Sequence, residues 1–147
     1  MRMAILGAGE SGTGAAVLAQ SKGYDVFVSD SGQIGDTYKV ILDQYGIAWE
    51  EGGHTEERIL LADELVKSPG ISPATPIVAA AIAQGIPILS EIELAARYSK
   101  AHMVAITGSN GKTTTTSLIH HLLTTAGIKA ALAGNIGRSM AMQEIGR

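Results

Sequence analysis

Short apolar runs alternate with longer stretches of helical spacing over residues 1–99. Such runs predict buried parallel strands, because a strand that is covered on both faces has no polar side. The predicted strands are residues 3–7, 25–29, 47–49, 64–67 and 86–89. The predicted helices are residues 15–22, 36–45, 56–61, 75–84 and 90–97. Since parallel neighbours require a crossover helix, this alternation predicts an α/β fold with helices on both faces of a parallel sheet.

The pattern starts again near His102. It predicts a buried strand at residues 103–107, a helix at 112–125 and another strand at 129–133. One strand–helix–strand unit cannot bury its own faces, so we interpret residues 100–147 as the incomplete start of a second α/β domain. Residues 1–99 are then the first domain, and the chain is expected to be a fragment. We also expect residues 100–147 to be the less stable part, because their apolar faces lack partners.

The composition narrows the classes of function. Hydrophobic residues make up 46% of the 147-residue chain and charged residues 17%, which provides enough apolar material for a packed core. The lack of cysteine excludes disulfides, thiolate nucleophiles and Cys-ligated metals. A net charge of −3 argues against nucleic acid as a partner. With no apolar run of membrane-spanning length and no leader before the first strand, we expect a soluble cytoplasmic protein that binds no membrane.

A glycine motif follows the first predicted strand. Residues 7–12, here called the glycine loop, read Gly-Ala-Gly-Glu-Ser-Gly, a complete G-x-G-x-x-G. These glycines allow a tight turn and the close approach of a phosphate, whose charge the following helix N-terminus favours. Asp30 ends the second predicted strand, where an acid can accept hydrogen bonds from ribose hydroxyls. The motif predicts a Rossmann-like nucleotide site without identifying the base; a turn that only packs a helix on a sheet is the alternative.

A second loop combines glycines with a lysine. Residues 107–113, here called the lysine loop, read Thr-Gly-Ser-Asn-Gly-Lys-Thr. The N–H groups of such a loop form a concave anion site, Lys112 would neutralise β/γ-phosphate charge, and the Thr113 hydroxyl would ligate Mg²⁺. The strict Walker pattern requires glycine where this chain has Ile106, so the match is to the shorter form G-x-x-G-K-T. We interpret it as an ATP-binding P-loop rather than a solvated turn.

Other polar residues receive plainer interpretations. Residues 68–70, Ser-Pro-Gly, follow a strand at the edge where doubly wound sheets bind ligands, and position alone leaves a ligand-facing or a structural role open. Glu50, Glu51, Glu56 and Glu57 are expected to form a solvated acidic rim. His54 has no partner at metal-ligand spacing.

The lysine loop is similar to that of the Mur ligase family, which builds the peptide stem of bacterial peptidoglycan. Together with residues 7–12, 68–71 (Ser-Pro-Gly-Ile) and 134–137 (Gly-Asn-Ile-Gly), it resembles the members that add D-glutamate. The resemblance covers essentially the whole chain. It implies three domains, which bind a UDP compound, ATP and the amino acid, and this chain would hold the first and only the start of the second.

The resemblance also implies two sets of site residues. The UDP-linked substrate would contact Gly9, Glu10, Ser11, Asp30, Ser31, Gly70 and Asn135. Of these, Glu10 and Ser11 would present main-chain N–H groups to the diphosphate. Asp30 and Ser31 would face uracil, Gly70 would line the same pocket, and Asn135 would contact the sugar–phosphate part. ATP would be bound by Gly108, Ser109, Asn110, Gly111, Lys112, Thr113 and Thr114. Gly32 departs from the pattern, because some relatives have a basic residue against uracil there.

The family implies acyl-phosphate formation followed by amide synthesis. The γ-phosphoryl group of ATP would pass to the carboxylate of UDP-N-acetylmuramoyl-L-alanine, and the amine of D-glutamate would then attack the activated carbonyl. Lys112 would be the catalytic residue, and Thr113 would hold Mg²⁺ between the β- and γ-oxygens. A second Mg²⁺ carboxylate, a histidine and a modified lysine would lie beyond residue 147. We therefore expect this chain to be inactive alone and the full-length ligase to be a monomer.

Two other hypotheses remain open. An NAD(P)-binding dehydrogenase or regulatory Rossmann module would explain the glycine loop and Asp30, but neither the lysine loop nor residues 134–135. A nucleotide-binding module of a larger assembly, without catalysis of its own, would differ from the ligase only if the full-length protein lacked the downstream catalytic residues.

Overall fold

Five parallel strands form a single sheet. The computed structural model describes residues 1–134 and 136–145, and its strands are β1 (Arg2–Leu6), β2 (Asp25–Asp30), β3 (Ala48–Glu51), β4 (Glu64–Lys67) and β5 (Ile88–Leu89). Their order in the sheet is β3-β2-β1-β4-β5, and every pairing is parallel. All five predicted strands of residues 1–99 are confirmed, and with them the Rossmann-like α/β fold.

Helices follow the strands in turn. In the described residues they are α1 (Glu10–Ser21), α2 (Asp36–Gln44), α3 (Glu56–Ile59), α4 (Pro76–Ala83), α5 (Glu91–Tyr98), α6 (Lys112–Thr125) and α7 (Met140–Gln143). The capping box predicted at Ser90 is present, since the Ser90 hydroxyl accepts from the Glu93 amide and the Glu93 carboxylate accepts in return. α1 begins at Glu10 rather than at residue 15, because close packing compensates for the low helix propensity of Gly12 and Gly14.

The two faces of the sheet carry separate apolar cores. Successive side chains of a strand point to opposite faces, so Met3 and Ile5 of β1 enter one core and Leu6 enters the other. The first core is covered by α1, α2, α5 and α7, and the second by α3 and α4. The prediction of helices on both faces is confirmed.

Residues 103–107 and 129–133 do not form the predicted strands. Met103 and Val104 are 55% and 70% exposed, and α6 buries none of its residues. A strand persists only where a neighbour takes up its N–H and C=O groups. Within the described residues these segments have no such neighbour beyond one isolated bridge between Ala133 and Arg138. The predicted strands of the P-loop unit are therefore wrong for this structure, whereas its helix is confirmed.

α7 returns to the first sheet, which the hydrophobic pattern did not predict. Ala141 is fully buried, and Met140 and Ile145 pack against the core formed by α1 and α5. Residues 139–145, here called the α7 segment, thus contribute to the same core as residues 1–99. The boundary between two domains near residue 99 stays a prediction.

Candidate nucleotide-binding site

The crevice where the strand order reverses lies between the ends of β1 and β4. Gly7 follows β1 with φ +90°, and a Cβ atom there would lie 2.6 Å from Ser68 Oγ. The Ser68 amide donates to the Leu6 carbonyl at 3.0 Å, which fixes the two strand ends side by side. Doubly wound sheets bind ligands at this switch point. The structure therefore brings the Ser-Pro-Gly turn, with exposed Gly70, to the glycine loop.

Close packing sets the path of the glycine loop. A Cβ atom on Gly12 would lie 1.8 Å from the Gly7 carbonyl oxygen, so only glycine fits there. Gly9 is the N-cap of α1, with open space around its Cα, and Gly9 and Glu10 are both exposed while Ser11 is half-buried. The first N–H groups of an α-helix lack acceptors within the helix. Those of Glu10 and Ser11 therefore open an anion-binding surface at the crevice.

Asp30 holds this loop from the end of β2. Its Oδ2 accepts from the Ala8 amide at 2.7 Å, and its Oδ1 accepts from the Gly32 amide at 2.8 Å. Both carboxylate oxygens thus engage main-chain groups, and Asp30 orders the glycine loop and the start of the β2–α2 loop together. Ser31 lies between them and is exposed. Each oxygen retains accepting capacity, so the side chain remains able to contact a ligand.

A polar cluster around the buried Ser29, next to Asp30, was missed by sequence reasoning. The Ser29 hydroxyl donates to Glu50 Oε1 at 2.6 Å and lies 2.6 Å from His54 Nδ1. Because the single hydroxyl proton goes to Glu50, Nδ1 of His54 carries the proton that is donated to Ser29. Thr55 adds its amide and hydroxyl, both donating to Glu50, at 2.7 and 2.5 Å. Burial opposes the charge of Glu50, but the hydrogen bonds from Ser29 and Thr55 prevail and lower its pKa.

Glu51 secures the β2–α2 loop from the neighbouring strand. Its carboxylate accepts from Lys39 Nζ at 2.9 Å and from the Ile34 amide at 2.8 Å. The hydrogen bond from Lys39, and after it the one from Ile34, lowers the pKa of Glu51. The expectation of a solvated acidic rim at Glu50 and Glu51 is therefore wrong. Glu51 orders the β2–α2 loop, whereas Glu50 joins the end of β2 to Thr55 at the start of α3. The only cue in the sequence was their place at the end of an edge strand.

The lysine loop leads into α6, as predicted. Gly111 is the N-cap with φ +76°, a left-handed conformation that glycine adopts without strain. Lys112 Nζ donates to the Gly108 carbonyl and lies 3.5 Å from the Ser109 carbonyl oxygen, so the lysine folds over its own loop. Residues 108–114 are exposed, Asn110, Thr113 and Thr114 among them. Among the described residues, no hydrogen bond or ion pair joins this loop to the first sheet.

The groups of the lysine loop are suited to bind the phosphates of a nucleoside triphosphate rather than a metal ion held by protein side chains alone. Lys112 offers a cation above a turn that opens a helix, and the main-chain N–H groups of its first turn are without helical acceptors. Thr113 offers one hydroxyl oxygen for Mg²⁺, which in proteins is usually held by carboxylates together with substrate phosphates. Within residues 1–134 and 136–145, no group of three His, Asp or Glu side chains is placed to bind a metal.

The loop before α7 meets the glycine loop. Asn135 lies outside the described residues. Gly137 has φ +86°, and a Cβ there would lie 2.3 Å from the Leu132 carbonyl oxygen. Gln143 Nε2 donates to the carbonyls of Leu132 and Arg138 at 2.6 and 3.1 Å and so links these two residues to α7. The start of α7 is joined to the start of α1, where the Ser139 amide donates to Glu10 Oε1 at 3.2 Å.

Comparison with known families identifies both halves of the chain. The family model of the MurD N-terminal domain matches residues 2–77, and that of the Mur ligase middle domain matches residues 106–145. The chain belongs to the MurD branch of the Mur ligase family. The resemblance carried by the glycine loop, the lysine loop and residues 134–137 is thereby confirmed.

Curated relatives of this MurD branch share most of the chain. The UDP-N-acetylmuramoylalanine–D-glutamate ligase of Bacteroides fragilis is 63% identical over 142 residues, which cover 97% of this chain and 32% of the relative. The enzyme of the same name from Bacteroides thetaiotaomicron is 61% identical, with the same coverage. That of Porphyromonas gingivalis is 58% identical over 95% of this chain and 31% of the relative. The chain therefore spans about a third of the length of these relatives.

Solved structures of other Mur ligases share the fold. A murein peptide ligase from Psychrobacter arcticus superposes with a TM-score of 0.63 at 23% identity, over 99% of this chain and 32% of that one. A pseudomurein peptide ligase type C from Methanothermus fervidus has a TM-score of 0.59 at 28% identity, over 92% and 28% of the two chains. In the residues described here, no helix combines the length and the apolar character needed to cross a bilayer.

Proposed function

We propose that this chain forms the substrate-binding part, and the start of the ATP-binding part, of a cytoplasmic ligase. The ligase adds D-glutamate to UDP-N-acetylmuramoyl-L-alanine in peptidoglycan precursor synthesis. One observation carries the proposal. In a chain of the MurD branch, the switch point of the sheet brings together the glycine loop, Asp30 and the Ser-Pro-Gly turn of residues 68–70. The names of the curated relatives support the substrate and the amino acid.

The first part of the proposal is a UDP site at this crevice. The main-chain N–H groups of Glu10 and Ser11, beyond the N-cap Gly9, bind the diphosphate. Asp30 and Ser31 face the uracil. Gly70 lines the pocket from the β4 side, and Asn135 contacts the sugar–phosphate part. The two main-chain hydrogen bonds that Asp30 accepts support its role, because they fix the shape of the loop on which the base rests.

The second part is ATP binding at residues 108–114. Gly108, Ser109, Asn110 and Gly111 wrap the phosphates, and Lys112 leaves the Gly108 carbonyl to neutralise them. Thr113 and Thr114 present the N–H groups of the first turn of α6, and the Thr113 hydroxyl provides one ligand for Mg²⁺. When bound, the metal would neutralise part of the phosphate charge. Lys112 stabilises the charge that develops as the γ-phosphoryl group passes to the substrate carboxylate.

The third part of the proposal is the division of the chain between two domains. Their positions, residues 2–77 and 106–145, support a UDP-binding domain over residues 1–99 and the beginning of the ATP-binding domain over 100–147. The amino-acid site and the remaining catalytic groups belong to the other two thirds of the relatives' length. The complete ligase then works as a monomer on small-molecule substrates. Relatives named as ligases at 58–63% identity do not favour an NAD(P)-binding module.

Isothermal titration of the chain with UDP-N-acetylmuramoyl-L-alanine, UDP and NADH tests the proposal. We expect saturable binding of both UDP compounds and no heat from NADH. Binding of NADH without a response to UDP would overturn the proposal and favour a dehydrogenase module. The double variant Gly9→Val/Ser31→Val places side chains in the crevice without entering the core, since both positions are exposed. It should abolish UDP binding while the thermal unfolding midpoint changes little.

A further inference from the structure

Lys67 ends β4 at the edge of the sheet where the crevice opens. It pairs with Leu6, the last residue of β1, so it lies directly beside the start of the glycine loop. Because side chains alternate between the faces of a strand, Lys67 is on the same face as Leu65, which belongs to the second core. Its half-buried side chain therefore starts from that core and ends at the edge of the sheet.

The ammonium group of Lys67 holds the Ser-Pro-Gly turn. Its Nζ donates to the Ser68 carbonyl at 3.2 Å and to the Ile71 carbonyl at 2.7 Å. The Ile71 amide donates to the same Ser68 carbonyl at 3.1 Å and closes the turn between them. One side chain thus fixes both ends of the turn that presents the exposed Gly70.

The same two residues of the turn pack against the glycine loop. A Cβ atom on Gly7 would lie 2.6 Å from Ser68 Oγ and 3.5 Å from Ile71 Cδ1. The residues whose carbonyls Lys67 holds are therefore those that face Gly7. Through them, Lys67 sets the distance between the two sides of the crevice.

The charge of Lys67 has no carboxylate partner within residues 1–134 and 136–145. The ion pairs of this part of the chain involve Arg2, Lys39 and Arg97 instead. An ammonium group has three donors, and the described acceptors of Lys67 occupy two of them. Neither the glycine loop nor the Ser-Pro-Gly turn contains a further cation. A half-buried charge without a countercharge costs free energy, and an anion in the crevice would offset that cost.

We propose that Lys67 is a positioning residue of the UDP site, which holds the Ser-Pro-Gly turn against the glycine loop and whose charge favours a diphosphate over an uncharged nucleoside. α1 packs on the first core, whereas the side chain of Lys67 is on the face of the second. The N-terminus of α1 and the ammonium group then attract the diphosphate from the two faces of the sheet. This inference rests on the proposed function, because the ligand is UDP.

Three variants test the role of this charge. Lys67→Met keeps an apolar stem and loses the charge and both hydrogen bonds, whereas Lys67→Arg keeps a charge and donors. Lys129→Met is the matched control, because it removes the same charge from an exposed position after α6. The unaltered chain and each variant are titrated with UDP and with uridine at low and at high salt, and their thermal unfolding midpoints are recorded.

We expect Lys67→Met to lower the ratio of UDP to uridine affinity about tenfold, the effect of one hydrogen bond to a charged group. Lys67→Arg and Lys129→Met should keep the ratio of the unaltered chain. The difference between Lys67→Met and the unaltered chain should shrink at high salt, because salt screens the charge. A turn that Lys67 only supports structurally would weaken both ligands by the same factor in Lys67→Met, and that result would overturn the inference.

A measurement on the unaltered chain decides the matter should Lys67→Met fail to fold. UDP should shift the side-chain NMR signal of Lys67, whereas uridine should leave it in place, and the signal of Lys129 should respond to neither ligand. Binding of UDP without a shift at Lys67 would overturn this inference alone. Failure of the unaltered chain to bind UDP would overturn the proposed function, and this inference with it.

Discussion

The carboxylate of Glu91 accepts a hydrogen bond from the amide of Ala141 at 2.5 Å, and both residues are almost completely buried. This contact joins the start of α5 to the start of α7. Burial raises the pKa of the Glu91 carboxyl, and the bonds from the Ala141 and Met140 amides oppose that rise only in part. The anchor of the α7 segment is therefore sensitive to pH.

The first prediction concerns the pH dependence of stability. A carboxyl whose pKa is higher in the folded than in the unfolded chain, where it is about 4.3, stabilises the fold below that value. The contribution is lost as the pH rises through the folded pKa. Glu91→Gln removes this titration while keeping an oxygen for Ala141. The stability of Glu91→Gln relative to the unaltered chain should thus rise between pH 4 and pH 7 in urea unfolding series. An identical difference at both pH values would contradict the prediction, and Glu57→Gln serves as the control.

The second prediction concerns Ser29 and its bond to Glu50, whose effect on stability has the opposite pH dependence. The pKa of Glu50 is lowered in the folded chain, so its charge stabilises the fold above the unfolded pKa, and this stability is lost as the pH falls through the folded value. Ser29→Ala removes the hydroxyl that donates to Glu50 and leaves His54 without its partner. We expect a loss of about 1–3 kcal/mol at pH 7, the range of a hydrogen bond to a charged group, while Glu50 keeps both bonds from Thr55. The loss should shrink at pH 3, and a loss that is independent of pH would refute the proposed cause.

Two glycines of the same loop should respond differently to alanine. In Gly12→Ala the new methyl group meets the Gly7 carbonyl at 1.8 Å, so we expect destabilisation at or above the ~1–3 kcal/mol usual for overpacking. In Gly9→Ala nothing lies within 4 Å, so only the N-cap preference for glycine over alanine is lost and stability should fall by no more than about 1 kcal/mol. The methyl group that Gly9→Ala adds stands at the open crevice and should weaken UDP binding. Thermal unfolding and titration with UDP measure both effects; comparable stability of the two variants would contradict this account.

Hydrogen exchange should separate α6 from α7. None of the α6 residues is buried, whereas Ala141 of α7 is fully buried and bonded to Glu91. Amides with few buried contacts around them open at low free energy. We expect residues 112–125 to exchange faster than residues 140–143, whose protection should approach that of β1. Uniform protection across residues 100–145 in dilute solution would contradict this expectation.

The last prediction concerns the catalytic activity of this chain. Lys112 lies on a loop without a strand before it, and the chain spans about a third of its ligase relatives. We expect no phosphate release that depends on ATP, D-glutamate and UDP-N-acetylmuramoyl-L-alanine together. Release above a Lys112→Met control would show that this chain carries the whole catalytic apparatus.

How far the sequence predicts the structure depends on where each contact partner lies. The strands of residues 1–99 were predictable, because apolar runs such as that of β1 are buried among neighbours from the same unit. The same reasoning failed at residues 103–107, because an apolar run is a strand only beside another strand. In the candidate site, too, local motifs were predictable and contacts between distant residues were not. The glycine and lysine loops follow local motifs, whereas the bonds of Glu10 to Ser139 and of Ser29 to His54 join distant positions.

The late return of α7 has a consequence for synthesis on the ribosome. β5 and α5 are complete about forty residues before α7 has been made, which takes roughly 2–8 s at ~5–20 residues per second. During that interval Gly14, on the face of α1, and the Glu91 carboxylate stand open to solvent. The nascent sheet therefore folds first with one apolar flank uncovered, and the arrival of Ala141 closes it. Translation speed over residues 100–140 accordingly determines how long that flank is available for association with other chains.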